Sequence, residues 1–358
     1  MKRLVRTPLQ AVLILVALLL ALHLLLPYLL RDYLNDKLAD MGDYRGRISD
    51  VDLAWWRGAY RLDELLIVRK DQEMPVPFVQ IAAIDIAVSW RSLWNDRAIV
   101  AEVIFERPVL NFVDGGEDGD DSQSGEGTDW REELEELLPI TLNELHLVDG
   151  QVSFRNFQSD PQVDVRTSDI QATFHNLTNV EGDDGTRVAR FAGDGLLLGH
   201  APVEAEASFD PFKDFYDFEM RLRARDIDLT QLNELSGAYG KFDFKAGHGD
   251  LVIEASAEKG QLDGYIKPLL HDVEIFDWEQ DVSDSDKGFF RSAWEALVGI
   301  SENVLKNQSE DQFATRVPLS GSLQDAETSP LQAFIAILRN GFVEAFDPGF
   351  EGSSDPQD

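Results

Sequence analysis

The chain has 358 residues, no cysteine and a formal net charge of −34. Without cysteine it can form no disulfide framework, thiol nucleophile or cysteine-based metal site, although a body this long needs no staples to bury a core. So acidic a chain repels nucleic-acid phosphates, which excludes nucleic acid as a partner, and a diffuse acidic surface also suits a salt-adapted organism.

Lys2, Arg3 and Arg6 precede an apolar run from Leu9 to Leu30. The run carries Leu13, Leu18 and Leu24 and no Asp, Glu, Lys or Arg. About 20 such residues cross a bilayer as one helix. The run leaves through Pro27, Tyr28, Leu29 and Leu30 into Arg31 and Asp32, with no Ala-x-Ala pattern, so an uncleaved signal anchor is expected rather than a cleaved signal peptide. The basic residues ahead of it place residues 1–8 in the cytoplasm and the body across the membrane. His23 lies within the run without a partner and reads as a tolerated neutral side chain.

Residues 31–113 form a first β-rich segment. Leu62, Leu65, Ile67 and Val68 read as strand. In the next strand, Phe78 to Trp90, Ile84, Ile86 and Val88 face one way and Asp85, Ala87 and Ser89 the other. Ile99 to Phe112 reads as a pair of strands broken at Arg107-Pro108. Trp55 and Trp56 beside Tyr60 could hold an apolar ligand, pack the base of the sheet, or rest at the membrane surface.

Residues 114–129 hold seven acids and no apolar residue, the composition of a flexible, solvated linker. They fail as an EF-hand loop: with Asp114 first, Gly116 and Gly125 stand where ligands are needed. A second β-rich segment spans 130–346. It opens with a short helix from Trp130 to Leu138, and Asp149-Gly150 reads as a hairpin turn. Val163–Leu177, Val188–Leu198, Val203–Phe209, Phe218–Ile227, Lys241–Ser256 and Leu262–Leu270 follow as antiparallel strands, the third alternating Glu204, Glu206 and Ser208 with Val203, Ala205 and Ala207. Amphipathic helices are expected at 289–306 and 330–346, with Phe313–Leu323 as a strand between them. Phe334, Leu338 and Phe342 lie on the apolar stripe of the second helix, which could cap an open end of the sheet. Residues 347–358 form a loose tail.

Chemistry leaves little trace. The six histidines are dispersed, and no HExxH, G-x-S-x-G, P-loop or dinucleotide fingerprint is present. No catalytic residue, metal site or cofactor is expected, and an envelope hydrolase would need His, Ser and acids to converge in space.

The order of motifs carries a resemblance: the apolar anchor, VSWRSLWNDRAIVAEVIFERPVLNFV, ITLNELHLVDGQVSFRNF, the strand GYIKPLLHDVEIF, and PLSGSLQDAETSPLQAFIAILRNGFVEAF at the end. This resembles the AsmA-like proteins of the Gram-negative envelope, in the branch called domain of unknown function 748, over nearly the whole chain. EVIFERPVLNFV and NELHLVDGQVSFRN also resemble each other, which fits a repeating antiparallel architecture. The resemblance implies a mainly β fold: an extended, curved antiparallel sheet forming a groove or taco, with an N-terminal transmembrane helix and a few amphipathic helices. It implies an inner-membrane anchor, a periplasmic body, no enzymatic activity, and phospholipid binding or transport, with an envelope protein as a further partner. With 14–18 strands at ~4.8 Å each, one sheet spans ~70–85 Å, too short to bridge an envelope unaided.

The expected function is therefore a membrane-anchored lipid-binding or envelope-supporting protein; the rival is a structural or regulatory interaction protein with a filled β core. A continuous, uncovered apolar row would favour the first. A core closed by the helices at 289–306 and 331–346 would favour the second.

Overall fold

A computed structural model describes residues 8–54, 58–70, 74–88, 100–115, 122–125, 128, 141–177, 189–209, 217–240, 243–275, 312–314 and 316–323. The fold is mainly β: one large, curved, open sheet preceded by an apolar helix. Helix α1 runs Pro8–Leu38. The strands are β1 (Tyr44–Arg47), β2 (Asp50–Ala54), β3 (Ala59–Arg69), β4 (Val79–Val88), β5 (Val100–Val113), β6 (Thr141–Asn156), β7 (Val163–His175), β8 (Ala189–Leu197), β9 (Ala201–Phe209), β10 (Phe218–Asp228), β11 (Phe244–Glu258), β12 (Gln261–Ile275), β13 (Gln312–Ala314) and β14 (Val317–Ser322). Neighbours follow chain order from β3 to β12. Both β1 and β2 pair with β3, and both β13 and β14 pair with β12. Among the described residues the path is thus twelve strands wide rather than fourteen. Its width is ~53 Å at ~4.8 Å per spacing, narrower than expected, because the short strands share an edge instead of extending the sheet.

The sheet is not wholly antiparallel: β5 and β6 run parallel, with Glu102 opposite Glu144 and Val113 opposite Arg155. Parallel neighbours need a crossover of a dozen residues or more, and residues 114–140 supply it. The two segments that resemble each other are therefore side-by-side strands in one register. Arg107-Pro108 does not divide two strands, and Asp149-Gly150 is not a hairpin turn. Both lie inside continuous strands, between the pairs Glu106–Val148 and Val109–Gln151. A hairpin would fold β6 back on itself, whereas both halves of β6 pair with β5 and β7.

These two positions belong to a row. Glu64, Arg107, Asp149, Asp169, Asp226 and Asp272 all have left-handed backbone, with φ between 48° and 57°, and sit in the interiors of β3, β5, β6, β7, β10 and β12. Register slips accompany those of β6, β7 and β10. A bulge inserts one residue, bends the strand and moves the following side chains to the other face. Because several strands slip along one line, the apolar face stays continuous across it. Leu62, Leu65 and Ile67 of β3 join the same core as Ile81, Ile84 and Ile86 of β4, each set with a three-residue step at the line.

Helix α1 has 31 residues, ~46 Å at 1.5 Å each, against a hydrocarbon core of ~30 Å. The apolar run ends at Leu30 but the helix continues through Pro27 to Leu38. Its last turns belong to the body: Leu30, Leu34 and Leu38 pack into the core with Tyr44, Ile48, Val51 and Leu62. Asn35 binds the backbone of Ile48 in both directions, donating to its carbonyl at 3.1 Å and accepting from its N–H at 2.8 Å. Leu38 lies against Gly46, where any Cβ would come within 3.0 Å of it.

The acidic segment also departs from expectation in part. Gln123 is fully buried and exchanges backbone hydrogen bonds with Val113 at 3.0 and 2.8 Å. Its side-chain amide donates to the Asn111 carbonyl at 3.0 Å, and the Gly125 N–H donates to the Tyr44 hydroxyl at 3.0 Å. Backbone groups and a neutral amide hold this stretch to the sheet, which a reading based on charge alone passes over.

Candidate functional site: the apolar face

Period-two alternation gives each strand one apolar and one polar face, and the register aligns them across the sheet. One apolar row runs Tyr60, Ile86, Val103, Leu145, Phe174, Phe191, Ala207, Met220, Ala255, Gly264 and Leu319, each opposite the next. The row beside it runs Leu62, Ile84, Phe105, Leu147, Ala172, Gly193, Ala205, Leu222, Ile253, Ile266 and Val317. No charged residue interrupts either row.

The rows differ along their length. At the α1 end they form a filled core, with Ile86 1% and Val103 0% exposed. Over β7–β10 the same face is only half-buried: Phe174, Phe191, Ala205, Ala207, Met220 and Leu222 all retain solvent contact. Small residues form its floor there, and Gly193 is close-packed, since a Cβ would sit 2.8 Å from that of Ala172. Phe174 and Phe191 flank the floor with rings 4.8 Å apart.

The opposite face is polar and internally paired. The Arg61 guanidinium reaches Asp63 at 3.1 Å and Glu106 at 2.8 Å, and also bonds Asp85. This contact holds the Glu106 carboxyl below its ordinary range and raises Arg61 further. Glu144 lies 3.3 Å from His146 and 3.5 Å from His175, so two dispersed histidines meet on one carboxylate. A cavity of about 620 Å³ lies over β5–β9, with Glu102, His146, Thr173, Asp194 and Glu206 among its lining. Among the described residues no three His, Asp or Glu side chains are grouped to hold a metal.

Of the residues singled out by sequence, Leu9, Leu13, Leu18 and Leu24 lie on α1. The last three are 60%, 61% and 64% exposed, while Leu30 packs on the core. A helix apolar on every side and this exposed is suited to lipid, and α1 is long and apolar enough to cross a bilayer. Tyr60 sits on the first apolar row, where burial pushes its phenol up to about 12. Lys2, Arg3, Arg6, Trp55, Trp56, Phe334, Leu338 and Phe342 fall outside the described residues, as do the helices expected at 130–138, 289–306 and 330–346. Sequence reasoning missed the residues that make the face continuous. Phe174, Phe191 and Met220 belong to strands it placed, but only the register shows that they meet.

Fold and face together define a class: an open β-sheet body, apolar on one side, built onto a membrane-length helix. Compared with known protein families and with curated proteins, the chain matches none.

Proposed function

We propose that this protein is a non-enzymatic, membrane-anchored carrier that shelters phospholipid acyl chains on the apolar face of its sheet. The reading places the anchor in the inner membrane of a Gram-negative envelope, with the N-terminus cytoplasmic and the body periplasmic, in keeping with the resemblance to AsmA-like proteins. The observation that carries it is the pair of unbroken apolar rows left half-open over β7–β10. Burying one methylene is worth about 0.8 kcal/mol, so such a face holds an acyl chain without any charged contact. The opposing face, with its acids paired across strands, stays in water.

The filled core around Ile86 and Val103 supports a second reading, in which the sheet is a structural or partner-binding platform. One experiment separates the two. Full-length protein, purified in mild detergent, is analysed by native mass spectrometry beside the double variant A205E/A207E. Annular lipid on α1 is common to both. Carriage requires phospholipid on the wild type in excess of the variant. Equal content in two folded proteins would end the carrier reading and leave the platform.

A further inference from the structure

Between β10 and β11 the chain inserts three short helical turns, Leu229–Leu232, Asn233–Leu235 and Ser236–Gly240. Asp228 starts them, its carboxylate accepting from the Thr230 N–H at 3.0 Å and hydroxyl at 2.6 Å. Asn233 then binds the Phe244 backbone in both directions, at 3.0 and 2.8 Å. This end of the insert lies on the apolar face. Leu229 is buried over Gly247 and Gly249, where a Cβ would meet its methyl groups at 3.1 Å. Leu232 packs against the buried cluster of Ala201, Ala224 and Ile227.

The other end reaches across the sheet. Gly237 rests on Pro161, in the β6–β7 connection. The Tyr239 hydroxyl donates to Asp114, just beyond β5, and accepts from the Asn156 amide of β6 at 3.0 Å. Its ring lies 6.2 Å from that of Phe154. The lengths agree: Leu229–Gly240 reaches ~18–24 Å, and the four spacings from β10 to β6 amount to ~19 Å. The insert is a bar laid over the ends of β7, β8 and β9.

Helix α1 tells which end this is. Its last turns descend beside the first strands, from Asn35 bonded to Ile48 to Leu38 against Gly46. The apolar part of α1 therefore leaves toward the Ala54–Ala59 end, and the bar crosses the opposite, membrane-distal end.

We propose that Leu229–Gly240 closes the membrane-distal end of the apolar face, with Tyr239, Asp114 and Asn156 as its latch, so that the face is a blind trough. Resting on the carrier reading, this makes the protein a holder of lipid that is loaded and unloaded away from the barred end, not a conduit open at both ends.

Because the chain lacks cysteine, single thiols report on it directly. Full-length protein in phosphatidylglycerol nanodiscs carries A224C, beneath the bar, or E206C, exposed on the polar face. Labelling with a polar maleimide should be slower at A224C by about tenfold or more, and Y239A should remove most of that protection, since local opening sets the rate. Equal labelling of A224C and E206C overturns the bar, and protection unchanged by Y239A overturns the latch. In a second arm, F154C/Y239C is joined by a short bis-maleimide and its phosphatidylglycerol content compared with the unjoined variant. Unchanged content supports a fixed end. A loss of about tenfold means that the bar must swing out for loading, and overturns the blind trough. Absence of lipid from both forms, with A224C still protected, overturns lipid carriage and leaves the bar as a structural brace.

Discussion

Placing one carboxylate on the apolar face gives a pH-dependent signature of acyl-chain contact. Ala207 lies between Phe191 and Met220, half-buried, so an A207E side chain can remain solvated in the empty protein. An acyl chain laid over it removes that water, and the group takes up a proton rather than stay charged. Neutralising a glutamate of ordinary pKa near 4.3 at pH 7 costs about 3.7 kcal/mol, or about 500-fold in affinity. At pH 5 the same step costs about 1 kcal/mol, about fivefold. The sign follows from linkage: the bound state raises the carboxyl pKa, so binding takes up a proton and strengthens as pH falls. A207Q supplies similar bulk with no charge, and its affinity should be flat over this range. The assay is equilibrium binding of a fluorescent phosphatidylglycerol to full-length protein in detergent between pH 5 and 7.5. A207E binding like A207Q at pH 7, or showing no gain on acidification, would refute acyl contact at this face.

Asn35→Ala removes both hydrogen bonds to the Ile48 backbone and leaves its N–H and carbonyl short of partners; a loss of about 1–3 kcal/mol is expected, read as a lower denaturant midpoint. Arg61→Met leaves Asp63, Asp85 and Glu106 without their shared cation, and with side chains about a third exposed the cost is only on the order of 1 kcal/mol at pH 7. Because Glu106 is held down in the folded state, its share is present above the unfolded carboxylate pKa and is lost as pH falls through the folded one, so wild type and variant should converge in acid. Tyr60 is shifted the other way, up to about 12, so its contribution is complete below pH ~10 and is lost as pH rises through 12; Tyr60→Phe should remove the most alkaline step from the phenolate absorbance titration. Arg107→Gly relieves left-handed backbone at φ 48° and should stabilise the protein by about 1 kcal/mol, measured by thermal unfolding; a loss of stability would mean that the Arg107 side chain contributes more than the strain costs.

The strands were legible wherever alternation ran unbroken: Val203–Phe209 and Phe218–Ile227 coincide with β9 and β10 to within two residues. What misled was local turn chemistry. Asp149-Gly150 has the composition of a tight turn because both residues tolerate left-handed backbone, and a bulge inside a strand demands the same. The step of three between Leu62 and Leu65, and between Ile81 and Ile84, was the available signal: a lone break in alternation reads as noise, but recurring along neighbouring strands it marks a line of bulges. The helix outlasts the apolar run because polarity changes at Arg31 while helical hydrogen bonding does not stop until Leu38. The insert at Leu229–Gly240 escaped the sequence reading because its turns are too short to show a period.

The closed end bears on how far lipid could travel. Twelve strands at ~4.8 Å give a face ~53 Å wide, crossed by acyl-sized apolar rows that run perpendicular to the strands. A conduit would need both strand ends, or both sheet edges, free. One edge is filled: Leu34 and Leu38 of α1 pack there against the core, and Asn35 bonds the Ile48 backbone. The distal ends of β7, β8 and β9 lie under the bar. On the carrier reading, lipid over β7–β9 is then left the membrane-facing ends of the strands and the β12–β14 edge. These routes differ in consequence: the first returns lipid to the membrane that supplied it, while the second hands it to another protein. A charge row on that edge decides between them. Ser320→Lys on the exposed side of β14 should leave lipid content unchanged if exchange is at the membrane, and should slow delivery to acceptor vesicles if the edge is the exit.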